Sequence, residues 1–221
     1  MLWQTKPVTR LVLASTSPAR LALLKAGGIK PVTIAPGVDE DAAVERAQSM
    51  GLISNTAEMV GFLAKAKAEA VVDRIEAQGA LIIGCDSSLE FDGEALGKPH
   101  EPQVAIDRWK SMRGRAGTLY SGHWVIDNRN AQPGVVPPAA GRTSSTIVHF
   151  ADLSDEEIEA YVATKEPLKV AGAFTIDGLG GAFIRSIEGD SHTVVGLSLS
   201  TLRDLSIQLG VPYQSLWQVS Q

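Results

Sequence analysis

Apolar positions along the chain follow distinct rhythms, and each predicts a different kind of element. Unbroken runs at Leu11–Ala14 and Ala80–Gly84 (ALIIG) have no polar face, as expected of strands buried on both sides of a sheet. Between them, Val60, Leu63, Ala64, Val71 and Ile75 recur at three- and four-residue steps, which predicts one long helix from Thr56 to Ala77. Pro31–Ala35 reads as a second short strand that stops at a Pro-Gly break. Ser88–Phe91 alternates, and Asp92-Gly93 is a strong hairpin signal leading into Glu94–Gly97. Ala105–Met112 is helical in pattern. Thr118–Ile126 and Arg142–Phe150 read as strands of a long hairpin, with the proline- and glycine-rich stretch 128–141 as its flexible loop rather than a domain boundary. Ser154 with Glu157 forms a capping box for a helix running to about Thr164. Two strands are expected within Val170–Gly189, flanking the loop Asp177–Gly181, and a last helix begins near Ser198 or Ser200 with Leu199, Leu202, Leu205 and Leu209 on one stripe.

Polar residues at the ends of these elements carry the candidate chemistry. After Leu11–Ala14, Ser17 suits a helix N-cap, Pro18 the first helical position, and Gly27-Gly28 the stop. Arg20 then lies at the positive end of the helix dipole, a placement that costs about 0.3–1 kcal/mol unless an anion shares it. With Ser15, Thr16 and Ser17 it describes an anion pocket, although an ordinary capped helix with Arg20 turned to solvent fits the local pattern equally well. Lys67 falls on the apolar stripe of the long helix, while Lys65 faces the other way. Asp86 stands where the ALIIG strand emerges, and counting outward from Asp92-Gly93 brings Lys98 alongside Ser87, with a one-residue uncertainty as to face. Asp39, Glu40 and Asp41 follow a strand end, as solvated loop or as oxygen ligands for a hard cation.

Composition narrows the function classes. The 221 residues are 44% hydrophobic, enough for one large domain, here 1–221, or for two lobes that share a sheet. A net charge of −5 and the lack of a basic run argue against a nucleic-acid polymer as partner while leaving a single nucleotide open. One cysteine, no signal-peptide pattern and no long apolar span point to a cytoplasmic protein with no membrane partner. Cys85 reads as a small buried hydrophobe, and His100, His123, His149 and His192 lack metal-ligand spacing.

Taken together, LASTSPARLALL, VDED, LAKAKAEAV, GCDSSLEFDGEALGKP, MRGR, EPLKVAGAFTIDGLGGAFI and GDSHTVVGLSL resemble the signatures of the Maf family of nucleoside triphosphate pyrophosphatases. The resemblance runs from Leu11 to Gly210. It implies an α/β fold: a mixed twisted sheet with flanking helices and two lobes around a central cleft, similar to the inosine triphosphate pyrophosphatases. It places Ser15, Ser17, Arg20, Lys67 and Lys98 on phosphate-binding positions and Arg115 on a recurrent arginine. Asp86 falls on the catalytic-base position, Glu40 and Asp86 on metal positions for Mg²⁺ or Mn²⁺, and Asp177 on a position associated with base selection. The implied activity is hydrolysis of a nucleoside triphosphate to monophosphate and pyrophosphate, with house-cleaning of non-canonical nucleotides as one use and a homodimer as the implied assembly. A non-catalytic nucleotide-binding regulator of cell division and septum formation is the competing class. Ser87, Gly117 and Asp177 depart from many members, and GCDS, LYSGH and FTIDGLGG look like the actinobacterial branch. On this reading Arg20→Ala weakens substrate handling without unfolding the chain.

Overall fold

The computed structural model describes residues 8–132 and 134–218; Pro133 of the expected hairpin loop and both termini of the 1–221 span lie outside them. The elements are β1 (Arg10–Ala14), α1 (Pro18–Ala26), β2 (Val32–Thr33), α2 (Glu40–Ser49), α3 (Thr56–Glu69), β3 (Ala80–Phe91), β4 (Glu94–Leu96), α4 (Pro102–Met112), β5 (Ala116–Asp127), β6 (Ala139–Phe150), α5 (Asp155–Ala163), β7 (Ile184–Glu188), α6 (Ser191–Val195) and α7 (Leu199–Gln208). Seven strands form one sheet in the order β2-β1-β3-β5-β6-β7, with β4 also paired to β3. β1 runs parallel to β2 and β3 and the remaining pairs are antiparallel. The fold is therefore mixed α/β, with helices flanking the sheet.

β3 organises the molecule. Its apolar beginning is the ALIIG run, but the strand does not stop at Cys85 as its hydrophobicity suggests; it is 12 residues long and runs on through Asp86, Ser87 and Ser88 to Phe91. β5 supplies ladder partners from Leu81 to Glu90 on one edge, and backbone pairing is indifferent to side-chain polarity. The other edge is shared. β1 ends its pairing at Ala14 opposite Gly84, and β4 begins at Leu96 opposite Leu89. Between those two registers, at residues 85–88, the edge of β3 has no neighbouring strand among the described residues.

The core divides on either side of that break. Leu11, Leu13, Leu24, Leu81, Ile83, Leu202 and Leu205 pack between the sheet, α1 and α7. Val12, Ala14, Ile82, Ala68 and Val71 fill the opposite face below α3. Beyond the break, Trp109 sits edge-on to Phe150, Tyr161 and Phe183 among Leu89, Phe91 and Ile158. The 12-residue strands β3, β5 and β6 run through both parts.

Several elements differ from expectation for identifiable reasons. The helix expected to reach Ala77 ends at Glu69. The chain then bends back through a 3-10 turn at Ile75–Ala77, and Asn128 Nδ2 donates to the carbonyls of Val72 and Ala77 to hold the bend. The acidic cluster is not loop: Asp39 caps α2 by accepting from the Ala42 N–H, and Glu40 and Asp41 complement the dipole in its first turn. The first strand expected in Val170–Gly189 is absent. Gly172 and Ala173 have φ of 68° and 63°, which breaks an extended run, and the Trp109 indole donates to the Ala173 carbonyl at 2.8 Å. α6 is too short for periodicity to reveal. The capping box on α5, the Asp92-Gly93 hairpin, the Ser17-Pro18 start of α1 and the Ser198 cap of α7 all form as read.

Two glycines bring α3 onto the sheet. A Cβ at Gly84 would land on the Ala64 carbonyl oxygen, and one at Gly122 on the Val60 carbonyl, so the α3 backbone rests directly on β3 and β5. This contact delivers Lys67 to Asp86. Gly84→Ala is expected to cost about 1–3 kcal/mol by levering α3 away, read as a lower urea midpoint.

His123 supplies a pH signature. Its Nε2 accepts from the Ser198 N–H at 2.8 Å, and burial, assisted by the Arg20 charge, pushes its pKa down to about 4. The unfolded chain binds this proton near pH 6.5 and the folded one does not, so stability falls as pH drops from about 6.5 towards 4, by up to ~3 kcal/mol from this group. In urea titrations across that range, His123→Gln is expected to flatten the loss.

Candidate active site

The break in the edge of β3 opens into a cleft of about 380 Å³. Its lining includes Ser15–Arg20 at the start of α1, Glu40 of α2, Lys67 of α3, Asp86 and Ser87 of β3, and Lys98 just beyond β4. Apolar Leu119, Val170, Phe174 and Val194 line it as well, together with Lys169, Thr175 and Asp177.

Arg20 fills the break. Its Nη1 donates to the Cys85 carbonyl at 3.0 Å and to Ser15 Oγ at 3.3 Å, Nη2 to Ser87 Oγ at 3.0 Å, and Nε to the Gly196 carbonyl at 2.8 Å. It is buried, and its fork joins α1, β3 and the end of α6. Ser87 Oγ lies 2.8 Å from Ser121 Oγ, which donates to the Thr193 carbonyl, so the network continues across β5 into α6. Among the described residues all four acceptors are neutral and Arg20 makes no ion pair, so its charge is not cancelled at contact. The expectation of a cation left misplaced in the empty protein is corrected here: its guanidinium is a structural tie as well as a positive charge in the cleft wall.

Ser15 and Ser17 use their oxygens on the protein. Ser15 Oγ accepts from the Ser17 N–H at 3.1 Å and Ser17 Oγ from the Arg20 N–H at 3.4 Å. A hydroxyl that accepts in this way still has its hydrogen to donate, and both residues line the cleft beside the first turn of α1.

Lys67 is 6% exposed, and its ammonium lies 2.7 Å from Asp86 Oδ1 and 2.8 Å from Glu40 Oε1. Asp86 is itself 8% exposed. Burial pushes its carboxyl above the usual aspartate value, although Lys67 and Arg20 both pull the other way. Neighbouring Cys85 is driven up to about 12 by burial and stays a thiol. The two carboxylates converge on one ammonium, and among the described residues no group of three or more Asp, Glu, His or Cys side chains gathers as a metal site.

Ser15, Ser17, Arg20, Glu40, Lys67, Asp86, Lys98 and Asp177 are thus brought together around one cleft. Arg115 is not. It lies on the outer surface, with Nη1 and Nη2 on the Asp92 carboxylate at 3.0 and 2.5 Å and its guanidinium 4.4 Å from the Phe91 ring centre. The β3–β4 turn supplies a bidentate partner before the side chain can reach the cleft. Sequence reasoning missed Lys169 and the residues Val194–Gly196; a lysine two residues after the only proline in the stretch 166–176 carries no periodic signal, and α6 was not foreseen.

Removing the tie at the break has a defined cost. Arg20→Ala leaves two buried carbonyls without a donor, at about 1–3 kcal/mol each, so its urea midpoint should fall sharply, contrary to the sequence-based expectation. Arg20→Lys is expected to recover little, because an ammonium cannot span acceptors arranged for a planar fork.

Residues 10–209 match the family described as Maf-like protein. A nucleoside triphosphate pyrophosphatase of Leifsonia xyli subsp. xyli is 55% identical over 94% of this chain and 96% of its own length. Proteins of the same description from Streptomyces avermitilis and Mycobacterium marinum are 50% and 45% identical, over 96% and 95% of this chain and 96% and 97% of theirs. Among solved structures, the Staphylococcus aureus Ham1 protein aligns with 91% of this chain and 95% of its own at 14% identity and a TM-score of 0.39, too loose a likeness to bear on the site. With nearly its whole length matched and relatives at this identity, the chain belongs to the Maf-like family.

Proposed function

We propose that the cleft hydrolyses nucleoside triphosphates between the α and β phosphates, releasing a nucleoside monophosphate and pyrophosphate. The observation that carries this reading is the buried Lys67 ammonium held between Asp86 and Glu40 at the floor of a cleft whose wall also carries the uncancelled charge of Arg20. The printed description of the relatives supports the same activity.

The chain's own groups divide the work. Arg20, the hydroxyls of Ser15 and Ser17 and the first turn of α1 meet the negative phosphates, and Lys98 adds a further cation to the cleft lining. Leu119 and Phe174 in the same lining offer an apolar surface for a base. Asp86 accepts a proton from the attacking water as the water oxygen bonds to the α phosphorus; the bond from that phosphorus to the bridging oxygen breaks, and the electron pair leaves with pyrophosphate. A carboxyl raised by burial is a stronger base than an ordinary aspartate, which suits this role. Lys67 holds Oδ1 of that carboxylate in place. Glu40 and Asp86 are the residues that would hold Mg²⁺ or Mn²⁺, which when bound supplies charge neutralisation and a more acidic water. House-cleaning of non-canonical nucleotides is one use such an activity would serve.

Asp86→Asn keeps the shape and removes the base. Its pyrophosphate release is expected to fall by about 10²–10⁴-fold while triphosphate binding persists, measured with Mg²⁺ or Mn²⁺ and a nucleotide panel. Wild-type protein that binds triphosphates and turns over none of them would instead support a non-catalytic regulator, and orthophosphate as the first product would point to a phosphomonoesterase.

A further inference from the structure

Thr175 and Asp177 reach the cleft wall from the segment 174–181, which contains no strand. A carboxylate outside the cleft lining holds this segment in shape. Glu166 opens the 3-10 turn Glu166–Lys169. Its Oε1 accepts hydrogen bonds from the Tyr161 hydroxyl at 3.0 Å, the Thr175 hydroxyl at 2.5 Å and the Gly180 N–H at 3.0 Å, and its Oε2 accepts from the Leu179 N–H at 3.0 Å. Three of these four donors belong to the segment, one before Asp177 and two after it. Gly178 closes against the same group: a Cβ there would lie 2.7 Å from Glu166 Oε2 and 2.7 Å from Thr175 Oγ1. Burial works to raise the Glu166 carboxyl, but the donors outweigh it and hold the group below the usual carboxylate range, so the acceptor is ionised at neutral pH.

The bonding also decides what the wall can read. Thr175 spends its only hydroxyl hydrogen on Glu166, and its oxygen lies beside Glu166 and Gly178, neither of which lines the cleft. That leaves Asp177 as the side chain of the segment that offers acceptor oxygens to the cleft, in a lining that also includes the apolar Phe174.

We propose that Glu166 is a positioning residue for base selection: by tying the chain on both sides of Asp177 it fixes where that acceptor stands in the cleft wall, and so which nucleobase can bring an N–H donor to meet it. This rests on reading the cleft as a triphosphate site. It assigns selectivity to a residue that touches neither phosphate nor base. Glu166→Gln replaces one acceptor oxygen with an NH₂ and sets a donor against a donor, which releases the segment that carries Asp177.

The test is calorimetric titration of UTP, dTTP, CTP, ATP and GTP, with tripolyphosphate as a probe that lacks a base, in the full-length Asp86→Asn protein with Mg²⁺. The parent is expected to separate its best and worst nucleotide by at least about tenfold in Kd, and Glu166→Gln to compress that spread to within roughly threefold while tripolyphosphate binding is unchanged. Tyr161→Phe removes one donor from Glu166 outside the cleft and should shift the spread in the same direction by less, which keeps the test decisive if Glu166→Gln folds poorly. A spread that survives both substitutions, a parent with no spread, or a loss shared equally by tripolyphosphate overturns the inference. A parent that binds neither nucleotides nor tripolyphosphate overturns the triphosphate site itself, and this inference with it.

Discussion

The structure depends on how one strand edge is closed. β1 and β4 both pair with the same side of β3 and, among the described residues, leave positions 85–88 without a strand neighbour. A buried backbone carbonyl without a donor is expensive, and the break is tolerated because Arg20 reaches across from α1 to bond Cys85 while its remaining donors take Ser15, Ser87 and Gly196. Asp86, in the middle of a buried strand, lines the cleft at the same break. Closing it with a guanidinium instead of another strand keeps the sheet intact, exposes a carboxylate and places a positive charge beside it.

The ion cluster at the floor of the cleft follows different energetics. Burying Lys67 and Asp86 costs several kcal/mol per ion before their attraction is counted, and such pairs are often no more stabilising than apolar side chains of similar size. Glu40 adds a second carboxylate to one ammonium and is itself partly exposed, so this end of the cluster faces the solvent side of the cleft. An arrangement with so little to offer stability is what marks a candidate functional site: a carboxyl raised by burial, held by a buried ammonium that also meets a second carboxylate.

The cleft draws on two kinds of structure. Arg20, Lys67 and Asp86 are placed by secondary-structure contacts: α1 capped by Ser17, and α3 lowered onto Gly84 and Gly122 of β3 and β5. Thr175 and Asp177 rest on 3-10 turns and a carboxylate that gathers backbone and side-chain donors. The second part of the lining is irregular chain, where a change of a few residues alters shape without disturbing the sheet.

The sequence by itself determined what depends on neighbours a few residues apart: the cap and proline that start α1, the Asp92-Gly93 hairpin and the capping box of α5. It also determined the stripe that turns Lys67 inward and Lys65 outward, because helical geometry settles that within two turns. Strand ends and the hairpin count pointed to Asp86, Lys98 and the cluster Asp39, Glu40 and Asp41, motif likeness to one family chose Glu40 within that cluster and added Asp177, and Glu40, Asp86, Lys98 and Asp177 share the cleft. Tertiary structure decided everything whose partner is distant in the chain. β3 continues through polar residues because β5 pairs with its backbone, a fact that hydrophobic periodicity cannot report. Arg20 finds acceptors 65, 67 and 176 residues away, which turns an apparent misfit of the helix dipole into the tie across the break. Arg115 is captured by Asp92, 23 residues before it, and is lost to the cleft. Local pattern records propensity and face; which acceptor a buried donor meets is set only when the sheet has assembled.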